Sequence, residues 1–187
     1  MRIFGIDPGS ERTGYGCIDT DGRRHHLLVC GAVSVPPHAA FPDRLQAIHA
    51  GLTRLLAEQR PDCVAVENIF YAKNVRRALK LGHARGVALL AAAEAGVPIA
   101  EYSPAEIKRA VVGFGRAEKS QIGQMVKLLL GLDTPPAPHD AADALAVAIC
   151  HVHSGTAPMA DAAVAARPRR VARGAPRPLT SWRDYRP

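Results

Sequence analysis

MRIFGIDPGSERTGYG, residues 1–16, is the stretch that decides the fold. Its first part, 2–6, alternates apolar residues in a β-rich run, which predicts a strand, and Pro8-Gly9 predicts a turn directly after Asp7. The small residues that follow keep the space above Asp7 open and predict a second strand that folds back at once. Asp7 is therefore either a turn cap or one member of a carboxylate group, and the rest of the chain decides between these two interpretations.

Length and composition predict one globular domain with a basic tail. The chain has 187 residues, of which 48% are hydrophobic and 22% are charged, enough to build a core. Its formal net charge is +7, and residues 156–187 supply +5 of this through seven arginines against two aspartates. We predict a domain over 1–155 and a disordered Arg/Pro/Ala-rich tail over 156–187, which attracts nucleic acid without selectivity.

The cysteines and the N-terminus indicate a cytoplasmic protein. The four cysteines are scattered, with no CxxC pair: Cys17, Cys30, Cys63 and Cys150. This pattern argues against a zinc site or a disulfide framework, so we expect reduced cysteines in the core. The N-terminus lacks a signal-peptide layout, and no apolar run reaches the roughly 18 residues of a membrane span, so no membrane is expected.

Hydrophobic periodicity predicts an α/β chain with five strands. Runs at 13–20 and 25–35 extend the first strand into an antiparallel meander, and 42–60 has the spacing of an amphipathic helix. The short apolar run at 62–67 is typical of a buried parallel strand, and 97–102 predicts a fifth strand. Further helices are predicted over 75–95, directly after Ser103, over 117–130 and over 139–154.

Three more acidic residues fall where they can join Asp7. Glu67 ends the predicted parallel strand, and Asp140 and Asp143 lie three apart in the first turn of the last helix, so both project from one face. An acid at a strand end is commonly just solvated, and an Asp at a helix start commonly caps it. One Asp is enough to cap the free N–H groups at the helix start, however. A second carboxylate on a helix of otherwise small, apolar residues is costly unless a cation lies beside it.

Four clustered carboxylates would raise each other's pKa unless a cation lies between them. No cluster of cysteines or histidines accompanies them, and ligation by oxygen alone favours Mg²⁺ or Mn²⁺ over zinc. Two such ions about 3.5–4 Å apart form the clamp used for in-line phosphodiester chemistry. His139 flanks Asp140, and we interpret it as a neighbour of the site rather than a ligand.

A basic helix start directly follows an aromatic loop. The loop NIFYAKN contains Phe70, and the helix after it begins with Arg76, Arg77 and, one turn later, Lys80. A basic helix face is commonly only solvated. Its position beside an aromatic loop that follows Glu67 favours contact with nucleic acid.

Taken together, these motifs resemble the RuvC family of bacterial Holliday-junction resolvases, within the RNase H-like superfamily. The resemblance covers roughly residues 1–155 and rests on the order of GIDPGSERTGYG, VENIFYAKN, ALKLGHARG, VVGFGRAEKSQ and HDAADALAVAI. It implies an RNase H-like fold, with a five-stranded mixed sheet of three antiparallel strands plus parallel strands, flanked by helices. It also implies resolution of Holliday junctions by paired symmetric nicks that leave 5′-phosphate and 3′-hydroxyl ends, in recombination and DNA repair.

The resemblance assigns roles to individual residues and names partners. The implied catalytic metal ligands are Asp7, Glu67, Asp140 and Asp143. They would hold two Mg²⁺ ions, for which Mn²⁺ would substitute. Phe70 would stack on a base near the crossover, unless it is a core residue, and Lys108 and Lys119 would contact the scissile strand. The expected DNA-binding set is completed by Lys73, Arg76, Arg77 and Lys80. The implied partners are four-way junction DNA, a second copy of the chain in a homodimer, and the RuvA–RuvB branch-migration complex.

Three other functions fit parts of the pattern. A sugar or acyl kinase, or an actin-like ATPase, has a similar first hairpin, but it needs a second domain with its own phosphate hairpin, and no repeat of the first motif exists in this chain. A related nuclease that acts on RNA starts similarly but lacks the IFYAKN loop and the long basic helix. A module that binds junctions without cutting them would have lost at least one of the four acids.

Overall fold

The computed structural model describes residues 1–36, 38–68, 74–115 and 117–155. The strands are β1 (Arg2–Asp7), β2 (Arg12–Thr20), β3 (His25–Ser34), β4 (Cys63–Glu67) and β5 (Ile99–Tyr102). The helices are α1 (Phe41–Gln59), α2 (Val75–Glu94), α3 (Pro104–Val112), α4 (Lys119–Leu129) and α5 (His139–His153). Each predicted element is present, with ends that differ by about two residues or fewer. The predicted disordered tail, 156–187, lies outside the described residues.

The five strands form one mixed sheet in the order β3-β2-β1-β4-β5. Strand β2 is antiparallel to β1 and β3, whereas β4 is parallel to β1 and to β5. The predicted architecture of three antiparallel strands plus parallel strands is therefore confirmed. Strands β1, β3, β4 and β5 all finish at one end of the sheet, where β2 begins. We call it the carboxyl end of the sheet.

Helices cover both faces of the sheet and create two apolar cores. On one face, Phe4 and Val64 pack with Leu52 of α1 and Ala88 of α2. On the other face, Ile3 and Ala65 pack with residues of α3, α4 and α5, among them Ile107, Val126 and Leu145. Alternation along β1 explains this division, because successive side chains of a strand point to opposite faces.

Helix α5 lies unusually close to the sheet because glycines face it. A Cβ on Gly5 would lie 2.0 Å from the Ala144 carbonyl oxygen, and a Cβ on Gly14 would lie 2.0 Å from the Asp140 carbonyl oxygen. No side chain fits at either position, so the helix backbone rests directly on β1 and β2. This contact fixes the height of the first turns of α5 above the carboxyl end of the sheet.

The cysteines are all free, as predicted. Cys17, Cys63 and Cys150 are buried, and burial raises the pKa of each thiol. Cys30 is half-buried on β3 and packs against the core on the α5 side of the sheet, so it lies at the edge of the core. Among the described helices, none is both long and apolar enough to cross a membrane.

Candidate active site

Three of the four predicted acidic residues meet in one cavity at the carboxyl end of the sheet. Asp7 ends β1 and Glu67 ends β4, and these strands are paired neighbours. Asp143 reaches the same cavity from α5, which Gly14 allows to lie close above β2. The cavity has a volume of about 120 Å³, and its lining includes all three carboxylates together with Lys108 and Lys119.

The Asp7 and Glu67 carboxyl groups lie close enough together to shift each other's pKa. Burial raises the pKa of Asp7, and repulsion from Glu67 and Asp143 raises it further. Burial likewise raises the pKa of Glu67. When all three carboxyl groups are ionised, they carry one negative charge more than Lys108 and Lys119 neutralise, so a bound cation would stabilise the ionised cavity.

Lys119 provides part of the missing positive charge. Its Nζ donates a hydrogen bond of 2.8 Å to Oδ2 of Asp143, and this hydrogen bond raises the pKa of the lysine. The Asp143 side chain is 15% exposed, whereas that of Lys119 is 76% exposed. The ammonium group therefore reaches into the cavity from solvent, and its stem is free to move away when another partner is present.

Helix caps place the two lysines. Ser103 caps α3, because its Oγ accepts from the Glu106 N–H while Glu106 accepts from the Ser103 N–H at 2.7 Å. The cap orients α3 so that Lys108 lines the cavity, along with Ile107 as part of the apolar wall. Lys119 is the first residue of α4, at the end of that helix which lies nearest to Asp143.

Asp140 occupies a different position from the other three acids. It is half-buried at the start of α5 and lines an adjoining cavity on the β2–β3 side. The sequence placed Asp140 and Asp143 on one face of the helix, and the structure separates them between two neighbouring cavities. Over residues 1–36, 38–68, 74–115 and 117–155, no three His, Cys, Asp or Glu side chains stand in an arrangement that could hold a metal ion as they are.

The donor set nevertheless fits a hard divalent cation. Asp7, Glu67 and Asp143 offer only carboxylate oxygens, the ligands that Mg²⁺ and Mn²⁺ prefer. Ionisation of all three acids and movement of the exposed Lys119 ammonium group away from Asp143 would make these carboxylates available to a cation. His139 is exposed beside Asp140, and it does not line the cavity.

The predicted DNA-binding residues divide into three groups. Lys108 and Lys119 lie at the cavity, as described above. Arg76, Arg77 and Lys80 are exposed on the first turns of α2, and the Lys80 Nζ lies 5.7 Å above the centre of the Phe41 ring. Phe70 and Lys73 lie outside the described residues.

Sequence reasoning missed the basic residues of the adjoining cavity. Arg12 begins β2 and Arg44 lies in the first turn of α1, and both line the cavity that contains Asp140. Arg12 belongs to the first motif, which could have drawn attention to it. Arg44 carries no comparable signal, because only the tertiary structure brings α1 to the end of β3.

Comparison with known proteins identifies the family. A sequence model described as crossover junction endodeoxyribonuclease RuvC matches residues 3–151. The crossover junction endodeoxyribonuclease RuvC of Halorhodospira halophila is 54% identical over 166 residues, covering 89% of this chain and 98% of that protein. The protein of the same description from Trichlorobacter lovleyi is 49% identical over the full length of both chains. A solved structure of T. thermophilus RuvC in complex with Holliday junction substrate matches with a TM-score of 0.75 and 36% identity, covering 82% of this chain and 94% of that one. The chain belongs to the RuvC family of crossover junction endodeoxyribonucleases.

Proposed function

We propose that this protein resolves Holliday junctions by cutting two strands symmetrically, in homologous recombination and DNA repair. The observation that carries the proposal is the cavity shared by Asp7, Glu67 and Asp143 with Lys108 and Lys119. Carboxylates beside ammonium groups provide both halves of a phosphodiester-cleaving site: oxygen ligands for a cation and positive charge for the scissile phosphate. Each cut would leave a 5′-phosphate and a 3′-hydroxyl.

Asp7, Glu67 and Asp143 would hold the divalent cation, and Asp140 would complete the ligand set from the adjoining cavity. Two Mg²⁺ ions, with Mn²⁺ as a substitute, would supply water activation and neutralisation of the charge that develops during in-line hydrolysis. The protein positions these ligands through strand pairing and through the close contact of α5 with the sheet. Asp143 would have to exchange its hydrogen bond from Lys119 for the cation.

The two lysines bind and orient the scissile phosphate in this proposal. Lys119 is largely exposed, so its ammonium group can transfer from Asp143 to a phosphate oxygen without losing a buried contact. Lys108 is half-buried in the cavity wall, so it offers a more fixed positive charge. Phe70 would stack on a base at the crossover, and Lys73, Arg76, Arg77 and Lys80 would contact the DNA arms.

A homodimer would match the twofold symmetry of a four-way junction, because it presents two equivalent sites to two equivalent strands. One face of α2 supports this arrangement. Val75, Leu79 and Leu90 recur on that face at helical spacing, and each is more than half exposed. Gly82 and Gly86 lie between them with open space above, which would allow a second helix to approach closely.

Leu79→Arg should convert the dimer to a monomer, measured by sedimentation equilibrium, because it buries a charge in the paired face. Leu128→Arg is the matched control, since Leu128 is similarly exposed but lies on α4. A Leu79→Arg variant that remains dimeric would exclude this face from the interface.

The proposal also includes cooperation with the RuvA–RuvB branch-migration complex and a cytoplasmic location.

The test is a cleavage assay with Mg²⁺ on three end-labelled substrates: a synthetic four-way junction, a linear duplex of the same sequence and single-stranded RNA. We expect paired nicks in opposite strands of the junction and no cutting of the other two. Cutting of RNA alone would support a ribonuclease instead. Junction binding without cutting in either Mg²⁺ or Mn²⁺ would indicate a recognition module.

A further inference from the structure

We propose that the adjoining cavity is a second phosphate site, which holds a backbone phosphate of the strand being cut, next to the scissile phosphate. The cavity has a volume of about 790 Å³. Its polar lining consists of two arginines, two serines and two acidic residues: Arg12, Arg44, Ser10, Ser34, Glu11 and Asp140. The inference rests on the proposed function, and it adds a contact that fixes how the strand crosses the active site.

The position of this cavity follows from the strand order. Ser34 ends β3, Arg12 begins β2, Asp7 ends β1 and Glu67 ends β4, so these four residues succeed one another along the carboxyl end of the sheet. Neighbouring strands lie about 4.8 Å apart, and Arg12 lies two residues beyond Gly14, the residue paired with Asp7, so Arg12 and Glu67 are separated by roughly 12 Å. A single DNA strand that crosses this end of the sheet can therefore contact both cavities at once.

Asp140 and Asp143 join the two cavities through one turn of α5. Asp143 faces the cavity with Asp7 and Glu67, and Asp140 faces the cavity with Arg12 and Arg44. The two aspartates thus lie between two pairs of basic residues, with Lys108 and Lys119 on one side and Arg12 and Arg44 on the other.

The turn that carries Arg12 is held in place before any ligand binds. The Thr13 hydroxyl donates a hydrogen bond of 2.9 Å to the Gly9 carbonyl oxygen across the turn. A Cβ on Gly9 would lie 2.0 Å from the Arg12 carbonyl oxygen, so the turn is also tightly closed. Such preorganisation reduces the entropy that a ligand must overcome when it binds Arg12 and Ser10.

Arg44 is oriented from the other side of the cavity. Its Nε donates a hydrogen bond of 3.0 Å to the Ala39 carbonyl oxygen, and its side chain is only 18% exposed. One terminal nitrogen lies 4.0 Å from a carboxylate oxygen of Glu11, whose side chain is 85% exposed. Such long, exposed ion pairs bind weakly, so Glu11 would yield readily to a phosphate oxygen that approaches the guanidinium group.

The lining favours a phosphodiester over a base. Two guanidinium groups and two serine hydroxyls are donors that match phosphate oxygens. Val35 is the one large apolar side chain among the described residues that line the cavity, and none of those residues is aromatic. The site would therefore bind the DNA backbone without regard to sequence.

The test measures junction affinity against salt concentration by fluorescence anisotropy, in buffer without divalent ions so that binding is separated from cutting. The variants are Arg12→Gln and Arg44→Gln, singly and together, with Arg12→Lys as the conservative variant. The control is Arg23→Gln, which is exposed on the β2–β3 turn at the opposite end of the sheet. Urea unfolding of each variant confirms that the fold is retained.

We expect each arginine lost to make the slope of log affinity against log salt shallower by about 0.7–0.9, equally for junctions of different sequence. Arg12→Lys should keep the parent slope, and so should Arg23→Gln. A parent slope in folded Arg12→Gln and Arg44→Gln would overturn this inference while leaving the proposed function intact. Failure of the parent protein to bind the junction would overturn the proposed function, and this site with it.

Discussion

The contact between Gly14 and α5 should determine both stability and cutting, and Gly14→Ala tests it with one methyl group. The new Cβ would lie 2.0 Å from the Asp140 carbonyl oxygen, and Cβ atoms essentially never come closer than 3.0 Å to such an atom. The start of α5 must therefore move by at least about 1 Å relative to β2. A misplacement of about 1 Å at a catalytic group costs roughly 100-fold in rate.

We therefore expect Gly14→Ala to cut four-way junctions about 100-fold more slowly under single-turnover conditions. Overpacking should also lower the free energy of unfolding by about 1–3 kcal/mol, measured by urea denaturation. Gly123→Ala is the matched control, because Gly123 lies in α4 with open space around its Cα. This control should stabilise the protein by about 0.8–1 kcal/mol and leave cutting unchanged.

Loss of activity in Gly14→Ala counts only for a variant that remains folded at the assay temperature, which the denaturation curve establishes. A folded Gly14→Ala protein with parent stability and parent cutting rate would show that this contact does not set the height of α5 above the sheet. The position of Asp140 and Asp143 would then need another explanation.

Three further perturbations test the site and the core. Asp7→Asn should abolish junction cleavage in Mg²⁺ and retain junction binding, and cutting by this variant at ordinary Mg²⁺ would remove Asp7 from the catalytic set. Lys119→Met should tighten Mn²⁺ binding up to about fivefold in the absence of DNA, because the ammonium group no longer competes for Asp143. Calorimetric titration measures this affinity, and unchanged or weaker binding would contradict the prediction. Burial lowers the pKa of His151, so the folded protein favours the neutral imidazole. The stability that this side chain contributes is therefore present above about pH 6.5 and is lost as the pH falls through the lowered pKa. Below pH 6.5 the parent should therefore lose up to about 1.4 kcal/mol per pH unit more than His151→Phe, and parallel curves of unfolding free energy against pH would contradict it.

The fold could be predicted because its signals are local. The alternation over β1 and the turn at Pro8-Gly9 specify a strand and a hairpin within sixteen residues. The Ser103 cap similarly specifies the start of α3 from four adjacent residues. The hairpin acts through backbone hydrogen bonds and the cap through hydrogen bonds between the side chains and backbone of Ser103 and Glu106, all between near neighbours in the chain, so the sequence alone reveals them.

The convergence of Asp7, Glu67 and Asp143 could also be foreseen, since two lie at strand ends and one at a helix start. The separation of Asp140 from Asp143 could not be foreseen. It depends on how far α5 is lowered onto Gly14, which is a contact between residues more than one hundred positions apart. The spacing of residues along a helix gives the direction in which a side chain leaves the helix axis. It does not give the position of that helix axis over the sheet.

The pairing of Lys119 with Asp143 shows a second limit. By position in the sequence, Lys119 is one of two lysines that flank the glycine-containing turn at 113–115, the other being Lys108. Its hydrogen bond to Asp143 arises because α4 begins beside the cavity, and that depends on the packing of Ile122 and Val126 in the core shared with α5. The sequence thus indicates which residues carry the chemistry, and the tertiary packing decides which of them touch.

The most direct test of the metal site is anomalous diffraction from crystals of the protein with junction DNA that are soaked briefly in Mn²⁺, with Asp7→Asn crystals as a second set in which cutting is prevented. For the parent protein soaked briefly with Mn²⁺, we expect anomalous peaks in contact with Glu67, Asp143 and Asp7, with Lys119 moved from Asp143 to the phosphate. In Asp7→Asn, these peaks should be weaker or lost. Crystals of an active protein that show no peak in this cavity, with Lys119 still bound to Asp143, would contradict the account.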